Sequence, residues 1–254
     1  MLLHAKWITT TDTFGEGVPL FRQTFQKNGE VAGATLYITA MGVYEAALNG
    51  KRVGDFILAP GWTSYHKRLQ YQRYDVTDAV QESNVLEVRL GDGWCVGPLT
   101  WHMIDKIYAQ RSALLCSLVL TYADGRTEEI NSDAAWEYSA CEIVYSELYD
   151  GELYDSRRTG RNYVPAALAD FGKEMLIPQE GEIIREVQTI KPVKLLTTPA
   201  GETVLDFGQN MTGYVQFRVK GTPGDKVVLR HAEVLDKDGN FYTENLRNAK
   251  AEIT

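Results

Sequence analysis

The sequence predicts an all-β protein made of two jelly-roll or β-sandwich modules in tandem, with the second module incomplete at the C-terminus of these 254 residues. Three observations predict this class. Aromatic and β-branched residues recur in short runs. Turn signals such as Asp-Gly and Pro-Gly separate the runs at roughly ten-residue intervals, and helix signals are sparse.

Period-two alternation predicts the strands of the first module. Residues 34–40 alternate and place Leu36 and Ile38 on one face. Residues 85–90 alternate in the same way, with every second residue a valine or leucine on the core side. Residues 114–122 are more uniformly apolar, which is typical of a central strand that is covered on both faces.

Two hairpins are predicted from turn residues. Residues 43–54 contain an Asn49-Gly50 pair, whose tolerance of positive φ suits a two-residue turn between antiparallel strands. Residues 214–219 and 226–230 are predicted to form strands on either side of a turn with the sequence Gly-Thr-Pro-Gly-Asp.

Helical composition is limited to one short turn in residues 76–81 and, in part, residues 163–175. The Pro, Gly and charged residues that follow predict a connection between the modules. We therefore expect a first module at residues 1–168, a linker at 169–185 and a second module at 186–254.

Composition excludes several function classes. The 26 Lys and Arg residues against 34 Asp and Glu residues give a formal charge of −8, whereas a nucleic-acid-binding surface needs a basic excess. Cys95, Cys116 and Cys141 cannot form a closed set of disulfides, which predicts reduced thiols and a cytoplasmic location. No secretory signal is visible, and the longest apolar stretch, residues 113–120, is too short to span a membrane.

Four segments together resemble a known family. Residues 59–71, 91–99 and 148–157 resemble the N-terminal domain of bacterial α-L-rhamnosidases, and residues 203–250 resemble the domain that follows it. The resemblance implies that the first module is galactose-binding-like and the second concanavalin-like. It also implies that the parent reaction is hydrolysis of terminal α-L-rhamnosides with inversion.

A sugar site needs an aromatic face for the apolar side of a pyranose and carboxylates or amides for its hydroxyls. The candidate carbohydrate-binding residues are Asp92, Trp94, Asp150, Glu152, Asp155 and Arg157. Carboxylate oxygens can also hold calcium, and the resemblance implies a calcium ion at Asp92, Glu152 and Asp155. The structural alternatives are a hairpin turn at Asp92-Gly93 and an ion pair between Asp155 and Arg157.

No catalytic residue is assigned in this sequence. An inverting glycosidase needs two carboxyl groups about 6.5–9.5 Å apart, which in the resembling family lie on an (α/α)-barrel that is not recognisable here. We expect this chain alone to be inactive and to require no cofactor. Its expected partners are a rhamnose-containing glycan and a catalytic barrel, in cis or on a separate chain.

Two further hypotheses for the role of this chain remain open. The chain can be an autonomous lectin-like module that binds sugar by itself. Alternatively it is a non-catalytic scaffold fragment of the enzyme, which predicts an exposed, unpaired strand edge at residues 250–254.

Overall fold

The computed structural model describes residues 2–15 and 17–254 and confirms the all-β class. One short helix, α1 (Gly93–Val96), and two 3-10 turns (Thr77–Ala79 and Glu244–Leu246) accompany the strands. The strands of the described residues are β1 (Ile8–Thr9), β2 (Pro19–Gln26), β3 (Val31–Met41), β4 (Val43–Leu48), β5 (Lys51–Arg52), β6 (Leu69–Asp75), β7 (Ser83–Gly91), β8 (Ala113–Tyr122), β9 (Thr127–Asn131), β10 (Glu137–Ala140), β11 (Ile143–Glu147), β12 (Gly151–Tyr154), β13 (Val164–Pro165), β14 (Ala167–Leu168), β15 (Leu176–Pro178), β16 (Lys194–Thr197), β17 (Thr203–Asp206), β18 (Leu229–Arg230) and β19 (Glu252–Ile253).

Two sheets of the first module enclose the main core. The first sheet has the order β14-β1-β8-β3-β6-β15, with β9 also pairing with β8. The second sheet has the order β13-β10-β2-β7-β4-β5. Apolar side chains from both sheets form one contiguous buried cluster that includes Phe21, Leu36, Val88, Leu118 and Trp136. This is the sandwich that the alternation pattern predicts.

Strand β8 is buried on both faces, as its uniformly apolar sequence predicts. Leu114, Cys116 and Leu118 face the core between the two sheets. Ala113 and Leu115 face a second buried cluster on the other side of the first sheet. The loops that carry the candidate site rest on this second cluster.

The alternating strands and the first hairpin are confirmed. Leu36 and Ile38 are both buried in the main core, and β7 alternates buried and partly buried residues. Asn49 and Gly50 have φ values of 54° and 75°, so the turn between β4 and β5 has the predicted positive φ at both positions.

Of the helical predictions, the short turn at Thr77–Ala79 is confirmed and the partial helix at residues 163–175 is wrong. Strands β13 and β14 occupy its first half and extend the two sheets at their edges. A proline disfavours helical geometry in the residue before it, here Val164, which favours the extended form. No helix of the described residues is long and apolar enough to cross a membrane.

The predicted linker at residues 169–185 contains ordered structure. Strand β15 pairs in parallel with β6 and so adds an edge to the first sheet. The Lys173 ammonium donates hydrogen bonds to the carbonyl oxygens of Leu2, Leu3 and Ala5 at 2.8, 2.9 and 2.5 Å. The domain limits at 168, 185 and 186 stay a prediction.

The second hairpin prediction is wrong in most of its length. Strands β16 and β17 pair with each other, but residues 214–219 form no strand, and within 226–230 only β18 does. Tyr214, Phe217 and Val219 are more than half exposed. An alternating sequence becomes a strand only when a neighbour takes up its backbone hydrogen bonds.

A mixed four-stranded sheet, β11-β12-β19-β18, joins the first module to the end of the chain. Strand β19 pairs in parallel with β12 and antiparallel with β18. The prediction of an unpaired strand edge at residues 250–254 is therefore wrong. Gly151 permits this approach, because a Cβ there would lie 2.0 Å from the Glu252 carbonyl oxygen.

Candidate functional site

The candidate site begins at a helical turn rather than a hairpin. The backbone N–H groups of Cys95 and Val96 donate to the Asp92 carbonyl oxygen at 3.2 and 3.3 Å, which starts α1. Gly93 has a φ of 51°, and a Cβ there would lie 2.5 Å from Val43 Cγ1. The turn therefore needs glycine for its backbone geometry and for the space beside β4.

Trp94 lies against a second tryptophan. The rings of Trp62 and Trp94 are nearly parallel, with an interplanar angle of 6° and a centroid separation of 6.1 Å. Trp62 is 57% exposed and Trp94 is partly buried. The pair provides the flat aromatic surface that stacking on the apolar face of a sugar ring requires.

A buried and a partly buried tyrosine fix the two loops that carry these tryptophans. The Tyr65 hydroxyl donates to the Gly61 carbonyl oxygen at 2.7 Å, next to Trp62 in the chain. The buried Tyr65 ring lies 5.0 Å from the Tyr108 ring, and the Tyr108 N–H donates to the Cys95 carbonyl oxygen. The position of Trp62 relative to α1 is therefore set by the core beneath the first sheet.

Asp92 places a carboxyl two residues before Trp94. The residue is exposed, yet desolvation by the surrounding protein raises its pKa, against the opposing effects of Ser112 and Lys106. Its carboxylate oxygens can accept hydrogen bonds from sugar hydroxyls.

Asp150 belongs to a different group. Its Oδ2 accepts hydrogen bonds from the Lys250 ammonium at 2.6 Å and the Tyr145 hydroxyl at 3.2 Å. Glu147 Oε2 accepts the N–H groups of Tyr149 and Asp150 and so shapes the turn between β11 and β12. Asp150 thus ties this turn to the chain that leads into β19.

Glu152 lies near Arg89 and Glu45 of the second sheet and near Glu142, which lies between β10 and β11. Burial raises its pKa; Arg89 opposes this shift, while Glu142 and Glu45 reinforce it. The Arg89 guanidinium is 2.6 Å from Glu142 and 3.7 Å from Glu45. Glu152 is therefore the least compensated carboxylate of this charged group.

Asp155 and Arg157 form an ion pair, which is the structural alternative to a sugar-binding role for these residues. Arg157 donates to Asp155 from its backbone N–H at 3.0 Å and from its guanidinium at 2.8 and 2.9 Å. These hydrogen bonds lower the pKa of Asp155 to about 2. Both oxygens of Asp155 are already engaged.

The six predicted site residues have different packing and hydrogen-bond partners. Asp92 and Trp94 adjoin α1, Asp150 and Glu152 contact other partners at the mixed sheet, and Asp155 pairs with Arg157. In residues 2–15 and 17–254, no group of three His, Cys, Asp or Glu side chains is placed to hold a metal ion. Calcium at Asp92, Glu152 and Asp155 stays a prediction.

Trp62 is the residue that the sequence reasoning missed. Its only signal was its place in the 59–71 segment, because nothing in a single sequence brings that loop beside residue 94. The stacking depends on long-range packing through Tyr65 and Tyr108.

Two family descriptions match the chain in succession. The family described as the α-L-rhamnosidase N-terminal domain matches residues 29–194. The family described as the bacterial α-L-rhamnosidase concanavalin-like domain matches residues 196–254. Together they cover the two predicted modules, in the predicted order along the chain.

Curated relatives and solved structures agree with these matches. An α-L-rhamnosidase of Streptomyces avermitilis is 43% identical over 237 residues, which cover 89% of this chain and 23% of that protein. One from Formosa agariphila is 34% identical over 242 residues, covering 91% of this chain and 26% of that protein. The chain thus spans about a quarter of the length of the curated relatives that it matches.

The fold is likewise similar to solved structures. The crystal structure of a native α-L-rhamnosidase from Aspergillus terreus has a TM-score of 0.93 at 38% identity, covering 99% of this chain and 31% of that one. The Streptomyces avermitilis α-L-rhamnosidase complexed with L-rhamnose has a TM-score of 0.89 at 40% identity, covering 94% of this chain and 24% of that one.

Proposed function

Since this chain belongs to the α-L-rhamnosidase N-terminal domain family, we propose that it binds the rhamnosyl end of a glycan for a longer α-L-rhamnosidase. The stacked pair of Trp62 and Trp94 beside Asp92 is the observation that carries this proposal. The reaction served is hydrolysis of terminal α-L-rhamnosides. Its catalytic carboxylates belong to an (α/α)-barrel, in cis or on a separate chain.

The chemistry of rhamnose suits this surface. A 6-deoxy sugar carries a methyl group in place of a hydroxymethyl group, so one side of the ring is unusually apolar. That side can stack on an indole, while a ring hydroxyl donates a hydrogen bond to a carboxylate such as Asp92. The exposed part of Trp62 leaves room for the ligand.

Calorimetric titration of the chain with methyl α-L-rhamnoside tests the proposal. We expect saturable binding in the parent chain and a loss of roughly tenfold or more in the Trp94→Ala and Trp62→Ala variants, because each removes one indole of the pair. Phe217→Ala removes an aromatic that is 52% exposed in the second module and is the matched control. It should bind like the parent chain.

Absence of heat at millimolar ligand in the parent chain would overturn the proposal. Equal affinities of the parent chain and the Trp94→Ala variant would overturn the placement of the site. Titrations with and without added calcium test the separate calcium prediction.

A scaffold role is the second candidate, favoured by exposed apolar side chains in the second module. Val187, Val193 and Leu195 are 91, 70 and 67% exposed. Clustered exposed apolar side chains are typical of a surface that another domain covers. We expect a separately produced catalytic barrel to co-purify with the chain, and Val193→Asp to weaken that association.

A further inference from the structure

A third tryptophan lies on the loop that follows α1. Residues 97–106 form this loop, which is here called the Trp101 loop. The Trp101 side chain is 72% exposed. Three non-glycine residues of this loop have positive φ: Thr100 at 68°, Met103 at 52° and Lys106 at 56°. Such backbone geometry costs energy, so the surrounding structure must hold it in place.

Backbone hydrogen bonds hold this loop. Leu99 and Ile104 exchange two N–H to carbonyl hydrogen bonds, each of 2.8 Å, which close the loop below its tip. The Lys106 N–H donates to the Val96 carbonyl oxygen at 2.9 Å, which fixes the loop base to α1. Trp101 is therefore presented on a closed loop attached to the helical turn that carries Trp94.

Arg247 of the second module covers one side of this indole. Its guanidinium carbon lies 3.8 Å from the Trp101 ring centroid, and its backbone φ is 59°. Among the described residues no carboxylate lies within ion-pair distance of this guanidinium, and the residue is exposed. Its N–H donors are therefore available beside the indole.

The distance along the chain limits how far Trp101 lies from the tryptophan pair. Trp101 lies five positions after Val96, so their Cα atoms are at most about 18 Å apart. The closure between Leu99 and Ile104 shortens this reach. The Trp101 loop is therefore confined to the neighbourhood of α1.

We propose that Trp101 and Arg247 form a second sugar subsite, which binds the pyranose next to the rhamnosyl unit held at Trp62 and Trp94. This inference rests on the proposed function and adds that the preferred ligand is a rhamnosyl disaccharide or longer glycan. The indole stacks on the apolar face of the second pyranose, and the guanidinium donates hydrogen bonds to its hydroxyls.

A neutral pyranose fits this pair of groups. Its ring hydrogens give an apolar face for the indole, while its hydroxyls accept N–H donors. Because the two modules supply one group each, the subsite exists only when the second module is placed on the first.

Two calorimetric titrations of the full 254-residue chain test the subsite. One uses methyl α-L-rhamnoside and the other uses α-L-rhamnosyl-(1→6)-D-glucose. We expect the disaccharide to bind the parent chain at least about fivefold more tightly, and Trp101→Ala to abolish only this difference. Arg247→Ala should reduce it in the same direction, and Trp101→Phe should retain most of it.

Ile104→Ala is the matched control, since Ile104 is 52% exposed on the same loop and its backbone pairing with Leu99 is kept by alanine. It should leave both affinities unchanged. Equal affinity of the parent chain for both ligands, or equal losses for both ligands in Trp101→Ala, would overturn the subsite alone. Absence of binding to either ligand would overturn the proposed function and the subsite together.

Discussion

At the scale of single residues, Lys173 shows how one charged side chain fixes a chain terminus. Its ammonium donates to three carbonyl oxygens in residues 2–5, so all of its donors are used. Trp7 adds a hydrogen bond from its indole N–H to the Gly172 carbonyl oxygen at 3.2 Å. Residues 172–173 therefore hold the N-terminal residues over the second buried cluster.

Replacing Lys173 by Met should destabilise the chain by about 1–3 kcal/mol, because three carbonyl groups lose a charged donor. Denaturant unfolding measures this change. Lys191→Met, at an exposed lysine, is the control and should change stability by less than about 0.5 kcal/mol. Similar values for the two variants would show that the three hydrogen bonds contribute little.

At the scale of elements, α1 is too short to be stable by itself and depends on its packing. Its first residue, Gly93, has positive φ and contacts Val43 of β4. The helical turn is therefore fixed on one side by the second sheet. On the other side, the N–H groups of Tyr108 and Lys106 donate to the carbonyl oxygens of its own residues Cys95 and Val96. This double attachment holds Trp94 in its stacked position.

Gly93→Ala should cost more stability than Gly50→Ala, although both residues have positive φ. The backbone strain is comparable, roughly 1–2 kcal/mol in each case. Only at Gly93 would the new Cβ meet a neighbour, Val43 Cγ1 at 2.5 Å, whereas nothing lies within 4 Å at Gly50. This overpacking should lower the free energy of unfolding of Gly93→Ala by roughly 1–3 kcal/mol more, and thermal unfolding measures the difference. Equal losses of stability in Gly93→Ala and Gly50→Ala would contradict this prediction.

The elements also show what sequence alone can and cannot predict. Alternation along β3 and β7, and the uniformly apolar β8, predict the core faces because burial repeats with the strand period. The turn at Asn49 and Gly50 is predictable because its geometry restricts the residue type. The strands expected at residues 214–219 fail because strand formation depends on a neighbour, which no local pattern specifies.

The candidate site is harder to predict than the fold. Asp92 and Trp94 are close in sequence, so a local pattern was enough to single them out. Asp150 and Asp155 are acidic residues like Asp92, but they pair with Lys250 and Arg157 respectively. Trp62 and Arg247 come to the tryptophan surfaces from distant segments, and only tertiary packing places them there.

At the scale of the whole molecule, the mixed sheet and its charged neighbours join the two modules. Lys250 pairs with Asp150, and β19 lies between β12 and β18. Glu152 lies on β12, where burial raises its pKa and the charges of Arg89, Glu142 and Glu45 also act on it. A carboxylate with a raised pKa at this junction makes the stability of the folded chain depend on pH.

The direction of that dependence follows from proton linkage. The pKa of Glu152 is higher in the folded chain than its unfolded value of about 4.3, so the folded state binds the proton more tightly. The stabilising contribution of the protonated form is present below pH 4.3 and is lost as pH rises through the folded pKa. Glu152→Gln should therefore raise the melting temperature at pH 7–8, with the difference vanishing towards pH 4.

Thermal unfolding of both proteins across pH 4–8 measures this effect. Glu182→Gln changes an exposed carboxylate in the same way and is the control. A Glu152→Gln variant that is less stable than the parent chain at pH 7.5 would show that Arg89 compensates the buried charge.

The pairing of β12 with β19 also sets an order of events during synthesis. Residues 151 and 252 are about a hundred positions apart, which at 5–20 residues per second is a wait of roughly 5–20 s on the ribosome. During that interval β12 has a partner only in β11, and its other edge can recruit foreign strands. The charge of Glu152 on this edge opposes such recruitment, so we expect the residue that lowers the predicted stability at neutral pH to protect the nascent chain from aggregation.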